Sequence, residues 1–371
     1  QAASVDLAAD SITFLPGTAH NCVACGASCG GHDVGPIAQH QVSAIKDAVP
    51  TARFVERHTQ SEDTTGHYCA MEGDQCVFLR GDRLCSIHAT LGLDPKPTDC
   101  RVFPLAFTRT PQGVVAGVRL ECRSYLESKD NGGALAERGA ELAHLAGAVD
   151  SMEEVAPLVR LDASTTLPWA DYALLEQSLI NAIAGPVVWR GLLAFNDRAR
   201  ALISVAQEAD RAGQVFPADA VTSESPDPGP LWDDLVSGCQ EAARLNRAAG
   251  KTARADRFER VSRGLQALRA GPIHCPPLGP RDDEILADHL RQSLFLKDAI
   301  TGSSLRFGLG LLNLTVLLAV ALVSLDGMSL NHALADVLKA LRANPVSGPL
   351  HRADEAVAAW LHDDLEGRVA H

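Results

Sequence analysis

The stretch 189–213, WRGLLAFNDRARALISVAQEADRAG, sets its apolar residues three and four positions apart, the spacing of a helix with one buried face. The preceding segment, DYALLEQSLINAIAG (171–185), repeats the pattern, with Asp171 placed to act as its N-cap, and ALAERGAELAHLAGAV (134–149) reads the same way. From Asn131 onward the chain is therefore expected to be all-α. Two segments interrupt the helices: FPADAVTSESPDPGP (216–230), whose Pro and Ser content marks a surface loop, and the Pro-rich GPIHCPPLGPRD (271–282).

The run Phe307–Leu325, FGLGLLNLTVLLAVALVSL, carries no charge and is formally long enough to span a bilayer. It also contains Gly308, Gly310, Asn313, Thr315 and Ser324, and it lacks an aromatic belt or a basic asymmetry at its ends. A helix apolar all round is equally what the centre of a bundle requires, so a buried core helix is expected and a membrane span is disfavoured.

The residues before this helical part are of another kind. Eight of the ten cysteines precede residue 125: Cys22, Cys25, Cys29, Cys69, Cys76, Cys85, Cys100 and Cys122. They sit among turn signals such as GASCGG, EGDQC, LRGDRLC and DPKPTDC, with short apolar runs, VFL and GVVAGVRL, that suggest a small hairpin. The expected fold class is thus mainly α: a small irregular cysteine-rich metal-binding region with a short hairpin over 12–127, followed by a helical domain over 131–371.

Ten cysteines are too few for a disulfide scaffold in a chain of 371 residues, and the opening QAASVDLAAD lacks the basic start and apolar run of a secretory signal. The expectation is a cytoplasmic protein whose grouped thiols bind metal. In C-V-A-C-G-A-S-C, Cys22, Cys25 and Cys29 are close enough to converge on one centre, with Gly26, Gly30 and Gly31 permitting a tight backbone. Thiolates suit zinc and iron–sulfur clusters, whereas magnesium and calcium prefer oxygen. One C-x2-C followed by wide, unequal gaps fits a zinc ribbon poorly. A [4Fe–4S] cluster tolerates scattered thiolates and is the favoured cofactor, with zinc as the alternative. Eight thiols could serve one site or two.

His32 and His88 are candidate ligands or supporting donors, though a solitary histidine is more often a satisfied surface or core residue. Cys239 and Cys275, isolated in the helical part, read as buried small hydrophobes. Arg101, beside Cys100, is placed to pair with a sulfide or a substrate carboxylate, a salt bridge to a nearby acid being the ordinary explanation. Phe103 and Pro104 need no role beyond shaping the loop.

Composition removes several functions. Net charge is −13 and only 5% of residues are aromatic, so neither a phosphate-backbone grip nor a base-stacking surface is expected, and nucleic acid is excluded as a partner. There is no G-x-S-x-G, Walker loop or H-E-x-x-H, and no glycine-rich turn on alternating β/α elements. A radical enzyme's C-x3-C-x2-C is also missing, since the triplet here runs C-x2-C-x3-C.

Taken together, C-x2-C-G-x2-C, C-V-F-L-x5-C-S-I-H, P-T-D-C-R-V-F-P-L and L-E-C resemble the zinc- or iron-chelating cysteine-cluster family that includes the flagellin lysine N-methylases. DYALLEQSLINAIAG with its following helix, and LADHLRQSLFLKDAI (286–300) with its apolar helix, are similar to the helical portion of the methylase branch. The resemblance implies a [4Fe–4S] cluster, S-adenosylmethionine as methyl donor and a surface lysine of a protein substrate as acceptor. Two departures stand out: the family's first motif commonly ends in adjacent cysteines where this chain has Cys29–Gly30, and C-R-V-F-P is closer to the general chelating family. An enzyme would need a base for the acceptor lysine, for which Glu72, Glu121 and Tyr125 are candidates by proximity in sequence. The alternative, from a different class, is a non-catalytic zinc- or iron-binding module acting as a partner-binding protein.

Overall fold

The computed structural model describes residues 12–30, 33–58, 65–149, 152–162, 165–183, 189–213, 229–274, 277–352 and 369–370. The N-terminal part begins with β1 (Ile12–Phe14), α1 (Gln39–Ala48), β2 (Phe54–His58) and β3 (Thr65–Cys69). It continues through the two-residue strands β4 (Met71–Glu72) and β5 (Gln75–Cys76), short helices α2 (Ser86–Leu91) and α3 (Thr98–Val102), and strands β6 (Leu105–Thr110) and β7 (Gly113–Val118). Helices α4 (Arg123–Ser128) and α5 (Gly139–Gly147) follow. The run GVVAGV is β7, antiparallel to β6, whereas VFL (77–79) forms only a turn and a single bridge from Leu79 to Cys85.

Beyond come β8 (Glu153–Glu154), β9 (Leu158–Arg160) and β10 (Thr166–Pro168), then α6 (Trp169–Ala182), α7 (Trp189–Gly213), α8 (Gly229–Ala248) and α9 (Thr252–Ala270). The chain closes with β11 (Ile273–His274), α10 (Pro280–Phe295), α11 (Leu305–Asp326), α12 (Leu330–Leu341), α13 (Asn344–Arg352) and β12 (Val369–Ala370). The protein is mainly α. Helix α7 has the bounds its periodicity predicts. Helix α6 starts two residues before Asp171, which lies in the first turn instead of capping it: Pro168, with its fixed φ, takes the N-cap position. The stretch 134–149 opens as a 3₁₀ turn, Leu135–Arg138, before becoming α5. Most of the loop expected at 216–230 lies outside the described residues, as do Cys275 and His32.

Helix α11 is buried along almost its full length against α9, α10 and α12. Close approach requires its glycine: a Cβ on Gly308 would stand 1.9 Å from the Ala299 carbonyl oxygen. Two polar residues inside the apolar run find partners: Asn313 donates to the Asn196 side chain at 2.7 Å, although its own Oδ1 is buried without one, and Thr315 donates back to the Leu311 carbonyl at 2.8 Å.

Two hydrophobic clusters result. The larger draws on both sides of residues 127–131, joining Leu105, Phe107, Val114 and Val118 of the hairpin to the helices. Helix α10 lies on β7, where Gln292 accepts the Val118 N–H at 3.3 Å and donates to Thr18 at 2.9 Å, and Thr108 donates to the Leu296 carbonyl at 2.8 Å. The smaller cluster, around Val42, Ile45, Phe78, Ile87 and Cys69, holds the loops that carry most of the thiols.

Candidate metal centre

The eight N-terminal cysteines, scattered over about a hundred positions, all line one cavity of about 500 Å³. Several local devices deliver them. Gly26 at φ 69° and Ala24 at φ 51° turn the chain between Cys22 and Cys29, and the Cys29 N–H closes a 3₁₀ turn on the Gly26 carbonyl at 3.1 Å. Cys76 ends the tiny β4–β5 hairpin, and the Leu79–Cys85 bridge folds Cys85 back beside it. Cys85 and Cys122 occupy the N-cap positions of α2 and α4, and Cys100 is inside α3.

The backbone leaves no room for a side chain at Gly30. A Cβ at this position would stand 2.8 Å from the backbone oxygen of Asp74, so a second adjacent cysteine would force the 73–74 turn outward.

The thiols fall into two neighbourhoods. Cys29, Cys76, Cys85 and Cys100 form the first: burial pushes Cys29 up to about 11 and Cys100 up to about 12, and in both cases Cys76 and Cys85 add to the rise. Lys96 opposes the shift at both Cys29 and Cys100, which places its ammonium as a counter-charge to this group. Cys69 belongs beside them. It is buried and donates a hydrogen bond to Cys76, so the proton stays on Cys69 and the Cys76 thiolate is favoured, helped by the Phe78 N–H. The second neighbourhood contains Cys25 and Cys122. The Cys25 sulfur is 3.4 Å from the Ser124 hydroxyl, and that of Cys122 is 3.8 Å from His20 Nε2. Burial raises Cys122 to about 11, with Cys25 adding to the rise. Cys22 is exposed at the mouth.

Sequence reasoning missed several cavity residues. His20 precedes the first cysteine by two positions and is lowered to about 4 by burial and by Arg138, so it is neutral near pH 7. Lys96, Ser124 and the Arg138–Glu141 pair also line the cavity, and nothing in their spacing marks them. His88 lines the wall as well. By contrast, none of the three candidate bases does. Glu72 is exposed and paired with Arg53, Glu121 is buried against Arg342, and Tyr125 is in the core with its hydroxyl pushed up by burial. Cys239 is buried in the helical core, away from the cavity.

All the described cysteines are free thiols. Among the described residues no three His, Cys, Asp or Glu side chains converge tightly enough to hold a single metal ion. Comparison with known proteins gives no match to any family model, curated protein or solved structure.

Proposed function

We propose that this protein is an iron–sulfur protein of the lysine N-methylase type, in which Cys29, Cys76, Cys85 and Cys100 hold a [4Fe–4S] cluster. The observation that carries the reading is the convergence of eight thiols from distant loops on one cavity, where burial and then the neighbouring Cys76 and Cys85 raise the proton affinity of Cys29 and Cys100. Buried thiolates are costly unless a cation compensates their charge, and a metal centre supplies that charge while displacing the thiol protons.

The spacing favours a polynuclear centre over zinc. A tetrahedral zinc site, with Zn–S near 2.3 Å, needs sulfurs within about 4 Å of one another. A four-iron cluster takes its four thiolates from scattered positions, which suits the wide, unequal gaps between these cysteines in the sequence. Lys96 offsets part of the negative charge such a centre would carry, and the Phe78 N–H hydrogen-bonded to Cys76 would help set its potential.

The methylase reading adds S-adenosylmethionine, which when bound supplies the methyl group, and a protein lysine as acceptor. The cavity is larger than four sulfurs need and continues past Cys122 to a polar wall at His20, Arg138 and Glu141, which leaves room for a small molecule beside the thiols. Free thiols suit a reducing cytoplasm.

Anaerobic purification tests this. A brown protein absorbing at about 400 nm, with about four irons and four sulfides per chain, is expected. A colourless protein with stoichiometric zinc would overturn the cluster and leave the non-catalytic, partner-binding module. Retention of S-adenosylmethionine in equilibrium dialysis separates the enzyme from that module.

A further inference from the structure

Helix α9 carries Arg254, Arg257, Arg260 and Arg263 at steps of three. Three residues fall short of a full turn, so the series winds round the helix, from two buried guanidiniums through half-buried Arg260 to exposed Arg263. Its middle meets α4 and α12. There Asp336, 2% exposed, accepts from Arg257 Nε at 3.1 Å and from Arg260 at 2.6 Å, and Arg123 of α4 stands 3.9 Å from the same carboxylate. A depression of about 520 Å³ opens beside these groups, with Arg123, Arg260 and Asp336 in its wall. The other acids of that wall are already engaged: Asp326 takes Arg263 at 2.8 and 3.1 Å, and Asp256 and Glu259 share Arg247 at 2.8 and 2.7 Å.

Two cations are left without a carboxylate of their own. Arg123 has a side chain 32% exposed, and among the described residues it makes no hydrogen bond and approaches no acid more closely than that 3.9 Å. Lys339, almost one turn beyond Asp336 on α12, is half-buried and forms no hydrogen bond or ion pair among the described residues. Burial, then the guanidiniums of Arg257 and Arg123, push it down to about 8, and the nearby Glu121 is held by Arg342. With the partners of the wall acids included, six cations meet four carboxylates here, in a chain whose net charge is −13. Like charges crowded at a half-buried site raise one another's energy, and one bound anion relieves them all. The surplus of two matches a phosphate group, which carries about two charges at neutral pH and whose oxygens fit the guanidinium fork. We propose that the junction of α4, α9 and α12 binds a phosphate group, held by Arg123 and Lys339. The site is separate from the metal centre, since no cysteine lines the depression.

The experiment is isothermal titration calorimetry of the full chain at fixed ionic strength with inorganic phosphate, glycerol 3-phosphate and acetate. A phosphate probe should bind at one site per chain, and acetate should not. Arg123→Gln and Lys339→Gln should each weaken that binding by roughly tenfold or more, the loss of one charge-assisted hydrogen bond. Arg83→Gln, which removes an exposed cation at the rim of the thiol cavity, should leave it unchanged. Urea denaturation of each variant separates loss of the site from loss of the fold. Tighter binding of free phosphate would identify the ion as the ligand, and tighter binding of the ester a phosphorylated small molecule; both support the site. Absence of saturable binding by either phosphate probe, acetate binding as tightly, or unchanged affinity in folded Arg123→Gln and Lys339→Gln would each overturn it. An equal loss in Arg83→Gln would also do so, by showing a general effect of charge.

Discussion

The Asp74 carboxylate accepts the backbone N–H of Arg254 at 3.0 Å, and with its other oxygen that of Ala253 at 2.7 Å. Helix α9 has Lys251 at its N-cap position, which offers no side-chain acceptor, so an aspartate from the β4–β5 turn caps it instead. Asp33, four residues after Cys29, meets the same helix end through Lys251 at 3.1 Å and Arg254 at 3.5 Å. Two thiol-bearing loops are thereby docked on the start of one helix of the larger core.

Replacing Asp74 with alanine should cost about 1–2 kcal/mol, the usual loss for an N-cap acceptor. Urea denaturation measures it. Asp74→Asn, which keeps an oxygen, should lose less, and an alanine variant as stable as the unaltered protein would show the contact to be idle.

The proposed ligand set predicts a split among cysteine-to-serine variants. Serine at Cys29, Cys76, Cys85 or Cys100 should each abolish or greatly reduce iron binding, while serine at Cys22, Cys25 or Cys239 should leave it near full. Colorimetric iron determination after anaerobic reconstitution reads this directly. Full iron in Cys85→Ser, or none in Cys22→Ser, would redraw the set.

Lys297 sits at φ 67° with its ammonium buried against Glu176 and over the rings of Trp169 and Phe295. Burial pushes the Glu176 carboxyl up and Lys297 opposes that rise, so Lys297→Met strips a buried carboxylate of its partner. A loss of about 3–5 kcal/mol is expected in chemical denaturation. Replacing both residues with apolar ones should recover much of it, because the cost lies in the orphaned charge.

Acid should destabilise the protein through His289. Burial holds its pKa at about 4 against an ordinary 6.5, so the unfolded chain binds more protons between those values. Its contribution is complete above about pH 6.5 and is lost as pH falls towards 4, by roughly 3 kcal/mol at most. Denaturation midpoints across this window should fall with pH, and the fall should be shallower in His289→Gln. An identical slope in the variant would assign the acid sensitivity to other groups.

Periodicity determined the helical part, because an amphipathic helix must repeat its apolar face every three to four residues whatever it packs against: α7 is readable to its last residue. The run at 307–325 was readable as a helix, but its surroundings were not, since hydrocarbon and a protein core ask for the same side chains; the burial of Leu314, Val316 and Leu318 among neighbouring helices came only from the tertiary structure. Likewise the sequence by itself named eight thiols and their preference for soft metals, a property of sulfur independent of the fold. How they divide could not be read from spacing, for Cys29 and Cys100 meet through packing across seventy intervening positions, as do Cys25 and Cys122 across nearly a hundred. Tertiary structure also removed Glu72, Glu121 and Tyr125 from the cavity and brought in His20, Lys96 and Arg138. Chemistry of a side chain is local and survives in the sequence, whereas the company it keeps is fixed only when the chain closes on itself.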